Sequence, residues 1–176
     1  MANKEALREL QGRLAERLHE VKTQERTLSW LAVESGGHGF LLPLAEAGEI
    51  FQPGALLSVP HALPWFLGVA NLRGVLAGVV DLAGFLGLRS RLPEGERDQA
   101  RVVAFNPTLE INGALQVDRL AGLRNQTQLT PEAVDVHAQP GFVGGRYHDA
   151  GGRVWQELRL AVLARDERFL RIVKGA

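Results

Sequence analysis

At Thr27 the spacing of apolar residues in this chain changes from three-and-four to two, and from there on the chain is a series of short strand-like runs separated by turns. Leu28, Trp30 and Ala32 recur at every second position, Gly36 and Gly37 supply a turn, and Gly39 to Leu42 return, which predicts a hairpin. Further strand-like runs stand at Glu49 to Phe51, Gly68 to Leu72, Val75 to Val80, Arg101 to Phe105, Ile111 to Val117 and Gly144 to Tyr147. Short strands at this spacing, with 20 Gly and 8 Pro available for turns, indicate an all-β barrel or sandwich and not a helical bundle. The polar stretch Arg89 to Arg101, with its Pro93-Glu94-Gly95 turn signal, interrupts two apolar halves and predicts a loop between two β subdomains or two sheets. Trp155, Leu158, Leu160, Leu163, Phe169, Leu170 and Ile172 predict a short C-terminal helix and a last apolar segment.

Upstream of Thr27, Leu7, Leu10, Leu14, Leu18 and Val21 form one apolar stripe, with charged residues of both signs between them. Residues 1–27 therefore read as an N-terminal amphipathic helix and residues 28–176 as the β domain. The stripe suits a helix packed on its own domain as well as one that meets a partner. Its mixed-sign polar face does not suit a membrane surface.

Composition removes several classes of function. The chain has 176 residues with 20 cationic and 20 anionic side chains, so it lacks the basic footprint that binding to a nucleic-acid duplex requires. It has no cysteine, hence no disulfide framework, thiolate metal site or cysteine nucleophile. The charged start MANKEALREL is unlike a secretory signal, and no apolar run approaches the roughly 18 residues of a membrane span, so the expected location is the cytoplasm with no direct membrane insertion. The three lysines, at 4, 22 and 174, close no phosphate-binding loop, and none of Ser29, Ser35, Ser58 and Ser90 lies in a nucleophile elbow. His19, His38, His61, His137 and His148 never pair at the spacing of a helical metal site. No cofactor, metal or catalytic residue is expected.

Charge distribution says more than total charge. Between Arg26 and Arg89 lie 62 residues with one cation, Arg73, against four carboxylates at Glu34, Glu46, Glu49 and Asp81. Arg73 stands in Pro64-Trp65-Phe66-Leu67-Gly68-Val69-Ala70-Asn71-Leu72-Arg73-Gly74, which carries more apolar side chains than one strand face can bury. Either the segment is central to the core or part of it meets a partner.

In this middle segment and beyond it the sequence resembles the CheW family, the coupling proteins of bacterial chemosensory arrays. The resemblance rests on Leu31 to Val33, Phe40 to Pro43, Glu49-Ile50, Val59-Pro60, Trp65, Gly68, the signature Asn71-Leu72-Arg73-Gly74, Asp81-Leu82, Phe85-Leu86-Gly87 and Val117-Asp118. Pro64 to Gly68, Trp155 to Leu158 and Phe169-Leu170 are similar to the PilI type, which serves type IV pilus twitching motility. The chain departs from the family pattern at Gly78 and Arg159.

The resemblance implies two packed five-stranded β-barrels, SH3- or OB-like, and a non-catalytic adaptor. Its implied partners are the cytoplasmic tip of a methyl-accepting chemoreceptor and the regulatory domain of a CheA-type histidine kinase, in membrane-bound receptor arrays. It places Asn71, Arg73 and Gly74 on a receptor-binding groove, with Glu49 facing the arginine, and makes Val79 and Leu86 candidates for kinase contact. A competing reading is an OB-like barrel that binds oligonucleotide or oligosaccharide. Such a site needs aromatic platforms interleaved with cations, and residues 27–88 hold one cation.

Overall fold

A computed structural model of the chain describes residues 28–90, 98–133 and 139–175. The expected helix over 1–27 lies outside the described residues, as do residues 91–97 of the charged loop. The predicted hairpin forms: β1 (Ser29–Ser35) and β2 (His38–Pro43) pair with Ser35 opposite His38, leaving Gly36-Gly37 as the two-residue connection. After it come β3 (Ala47–Phe51), β4 (Phe66–Leu72), β5 (Val75–Asp81), the one-turn helix α1 (Leu82–Phe85), β6 (Arg101–Phe105) and β7 (Gly113–Val117). The chain continues through β8 (Arg119–Asn125), β9 (Leu129–Glu132), β10 (Val143–Asp149), β11 (Val154–Leu158), α2 (Leu160–Leu163) and α3 (Glu167–Leu170).

These strands build a six-stranded sheet in the order β8-β1-β2-β11-β10-β9 and a five-stranded sheet in the order β3-β6-β7-β5-β4. The pairs β11 with β2 and β5 with β7 are parallel, and the other pairs are antiparallel. Two expectations need correction. The sheets hold six and five strands, and neither closes as a hydrogen-bonded barrel among the described residues. The chain also does not change sheet at residues 89–101, because the strands on either side, β5 and β6, belong to the same five-stranded sheet. It changes between β2 and β3 and again at Asp118, between β7 and β8. A polar segment reveals a loop but not which strands pair across it, and here the six-stranded sheet is assembled from both ends of the domain.

Both sheets are strongly curled. On a flat sheet β1 and β10, three strand spacings apart, would lie roughly 14 Å from each other. Instead, the rings of Trp30 and Tyr147 approach to 5.3 Å. The edge strands β8 and β9 are joined by the single 3₁₀ turn Gln126–Gln128, so the two edges face each other. Each concave face holds a small core of its own, Trp30, Ala32, Leu41 and Trp155 in one sheet and Ala70, Val79, Val102 and Ala114 in the other. The convex faces supply Leu31, Val33, Phe40, Leu42, Val80, Val103 and Leu115 to a shared core between the sheets. Adjacent residues such as Trp30-Leu31 and Val79-Val80 therefore enter different cores, and the runs are continuously apolar instead of alternating.

The C-terminal reading holds in part. α2 and α3 are short helices, and Asp166 caps α3 by accepting a hydrogen bond from the Arg168 amide. Trp155 and Leu158, however, belong to strand β11, whose parallel partner β2 lies more than a hundred residues upstream, so no local signal marks it.

Candidate partner-binding site

β4 and β5 form a tight hairpin in which Leu72 faces Val75, leaving Arg73-Gly74 as the loop. Both loop residues have positive φ, +51° at Arg73 and +89° at Gly74, which is the signature of the turn that matches strand twist. Gly74 takes this conformation freely, and its amide donates to Oδ1 of Asn71 at 2.7 Å. Arg73 does not: a side chain in the left-handed region costs on the order of 1 kcal/mol that Asn or Gly would avoid. The turn gains nothing from an arginine, so what the arginine does lies in its guanidinium.

That guanidinium meets Glu49, Nη1 to Oε1 at 2.6 Å, with the Arg73 side chain 76% and the Glu49 side chain 45% exposed. Glu49 lies on β3 and Arg73 directly follows β4, and these strands are opposite edges of the five-stranded sheet. The ion pair thus latches the open seam of a curled sheet. At this exposure the pair contributes about 0–1 kcal/mol, and most of the guanidinium remains available to a partner. Ile50, Val75 and Leu76 next to it are exposed apolar side chains, so the turn presents a charge within an apolar surround.

Asn71, Arg73, Gly74 and Glu49 are therefore brought together at one end of the sheet. The two other candidates separate. Val79 is fully buried in the concave core with Ala70, Val102 and Ala114, so its assignment as a kinase contact is corrected. The neighbouring position Val80 faces the opposite way, and nothing in the apolar run told the faces apart. Leu86 is half-buried and lines a cavity of about 360 Å³ at the other end of the hairpin, beside Trp65, Phe85 and Phe142.

A buried ionic cluster went unread in the sequence. Arg89, 11% exposed, donates from Nε and Nη2 to Asp81 at 3.2 and 2.7 Å and from Nη1 to Asp118 at 2.6 Å. Asp118 also accepts from the Gly36 amide at 2.8 Å, which ties in the β1–β2 turn. Burial pushes the Arg89 pKa down, but its hydrogen bonds to Asp81 and Asp118 outweigh it and hold the guanidinium above its usual range. Asp81 ends β5 and Asp118 follows β7, its parallel neighbour, so it is this pairing that brings the two aspartates together. Among the described residues no three His, Asp or Glu side chains group as metal ligands.

Residues 29–168 match the CheW-like domain. The chain belongs to this family. Within it, the chain is of the PilI type, being 32% identical over 156 residues to Protein PilI of Pseudomonas aeruginosa, across 84% of this chain and 82% of that one. The CheW-like fold is shared with the crystal structure of the scaffolding protein TtCheW from Thermoanaerobacter tengcongensis, at a TM-score of 0.62 and 17% identity, covering 75% of this chain and 88% of that chain. Among the described residues no helix is long and apolar enough to cross a membrane.

Proposed function

We propose that this CheW-like chain is a non-catalytic adaptor that couples the cytoplasmic tip of a methyl-accepting chemoreceptor to the regulatory domain of a CheA-type histidine kinase. The array it serves controls type IV pilus twitching motility from the cytoplasmic side of the membrane. One observation carries the reading: Arg73 occupies a strained turn position where its charge is latched by Glu49 yet largely exposed. An arginine in that state suits bidentate recognition of a carboxylate on a partner. The adaptor then contributes differential binding free energy between receptor–kinase conformations, and signal passes as a population shift without chemistry of its own. Burial of Trp30 and Trp155 favours this over an oligonucleotide-binding barrel, which would display its aromatic rings.

The test is a titration of the purified chain against a receptor cytoplasmic fragment and a kinase regulatory domain. Both should bind, and Arg73→Glu should weaken receptor binding at least tenfold, about 1.4 kcal/mol, while the kinase domain binds as before. Normal receptor binding by that variant, or no binding of either partner by the native chain, would defeat the proposal.

A further inference from the structure

The cavity beside Leu86 lies at the base of the β4–β5 hairpin, seven strand residues from Arg73 and hence roughly 20 Å away. Its walls are apolar and aromatic. Trp65 meets Phe85 edge-on at 5.2 Å, and Phe85 lies 5.8 Å from Phe142, so the rings form a continuous surface contributed by both sheets. Two cations line it, Arg168 and Arg171, and no carboxylate does. Asp166 grips Arg168 through Nε at 3.2 Å and Nη2 at 3.0 Å, holding the guanidinium 5.5 Å over the Phe142 ring and leaving Nη1 clear of that grip. Arg171 is exposed and forms no ion pair among the described residues.

We propose that this cavity docks a short acidic segment of a protein partner. A leucine or aromatic side chain of that segment packs against the surface formed by Trp65, Phe85 and Leu86, and a carboxylate beside it in sequence meets Arg171 and the free edge of Arg168. Charge complementarity decides the sign of the partner: an apolar socket rimmed by a preoriented and an unpaired guanidinium selects an anion next to the anchor. Its form decides the class. Small-molecule sites bury most of their ligand, at volumes of about 300–1,000 Å³. Here the volume is about 360 Å³, Trp65 and Leu86 remain half-exposed and Leu170 stands exposed nearby, so an occupant keeps one side in water, as a side chain on a peptide backbone does. This second docking point goes beyond the adaptor reading and does not depend on the Arg73 turn.

The test uses the full chain and three blocked tetrapeptides, Ac-Glu-Leu-Phe-Glu-NH₂ and its Gln/Gln and Lys/Lys counterparts, followed by NMR of the tryptophan indole N–H groups. Trp30 and Trp155 are each 1% exposed and serve as internal references for Trp65. The acidic peptide should shift the Trp65 resonance saturably and bind about tenfold more tightly than the Gln peptide. Arg171→Glu should reverse the preference towards the Lys peptide at unchanged melting temperature, and Arg73→Glu should leave all three affinities unaltered. Equal binding of Glu and Gln peptides, equal shifts at all three indoles, absence of a saturable shift, or retained acidic preference in Arg171→Glu would each overturn the proposal. None of those results bears on the Arg73 turn, whose own test is receptor binding.

Discussion

Arg73 and Arg89 both hold carboxylates, one at the exposed tip of a hairpin and the other beneath the join between the sheets. Arg73 pairs with a single glutamate in contact with water, where Coulomb attraction is screened and the side chains keep much of their freedom. Arg89 pairs with two aspartates, all three side chains about 11% exposed or less, and its five donors are largely committed. Sequence reasoning singled out Arg73 because it is the lone cation in a long apolar stretch. The arginine that carries structural weight is the next one along. Isolation in sequence marked the exposed arginine, whereas the buried one was hidden at the border of a charged loop. The difference teaches that an arginine among apolar residues is to be judged by how many carboxylates reach it in space.

The comparison breaks first at Arg89. Arg89→Met strands two aspartates in a dry site, so a loss of about 3–5 kcal/mol is expected by urea denaturation, with a fall of about 10 °C in melting temperature. Adding Asp81→Asn and Asp118→Asn to that variant should restore a good part of the loss, since no uncompensated charge then remains. A loss below about 1 kcal/mol in the single variant would place Arg89 in the same class as Arg73.

An uncharged buried position calibrates that figure. Gly39 lies opposite Trp155 in the parallel register, and a Cβ there would come 2.7 Å from the indole ring. Gly39→Ala should cost about 1–3 kcal/mol through displacement of Trp155, read from thermal unfolding together with near-ultraviolet dichroism.

Glu34 offers an intermediate case, with a side chain 12% exposed that accepts from both Arg153 and Arg119. Burial raises its pKa, but the hydrogen bonds from Arg153 and then Arg119 outweigh it, leaving the carboxyl below its ordinary value of 4.5. Its stabilisation is thus fully present above that ordinary value and lost as pH falls through the lower folded one. Stability measured from pH 5 downwards should decline less steeply in Glu34→Gln than in the native chain, and identical slopes would remove Glu34 from the acid response.

The smallest stability effect belongs to Arg73. Arg73→Glu should alter unfolding free energy by no more than about 1 kcal/mol. Outright unfolding of that variant would make Arg73 a strut and erase its contrast with Arg89.

The strand-forming runs of β1, β2, β4 and β5 were legible in the sequence, and so was the pairing of β1 with β2, whose Gly36-Gly37 turn is local. β8, Arg119-Leu120-Ala121-Gly122-Leu123-Arg124-Asn125, was not, because an edge strand half in water has no need of an alternating apolar face. β11 was misread for a different reason, since its pairing is made at long range. In the candidate site, the proximity of Glu49 and Arg73 came from the family resemblance, and their exposure needed the fold. The Asp81–Arg89–Asp118 cluster needed the parallel pairing of β5 with β7, which no spacing along the chain encodes.

The six-stranded sheet, built from β1 and β2 together with β8 to β11, also governs how the chain can be made. Trp155 pairs beside Gly39, so the β1–β2 hairpin waits for β11, the last of the described strands, before its concave core can fill. Contacts this distant in sequence slow folding, because a long loop must close before any of them forms. The domain is therefore expected to complete itself only once β11 has been made, as one cooperative unit, and a nick in the charged loop after β5 would yield two fragments that need each other to fold.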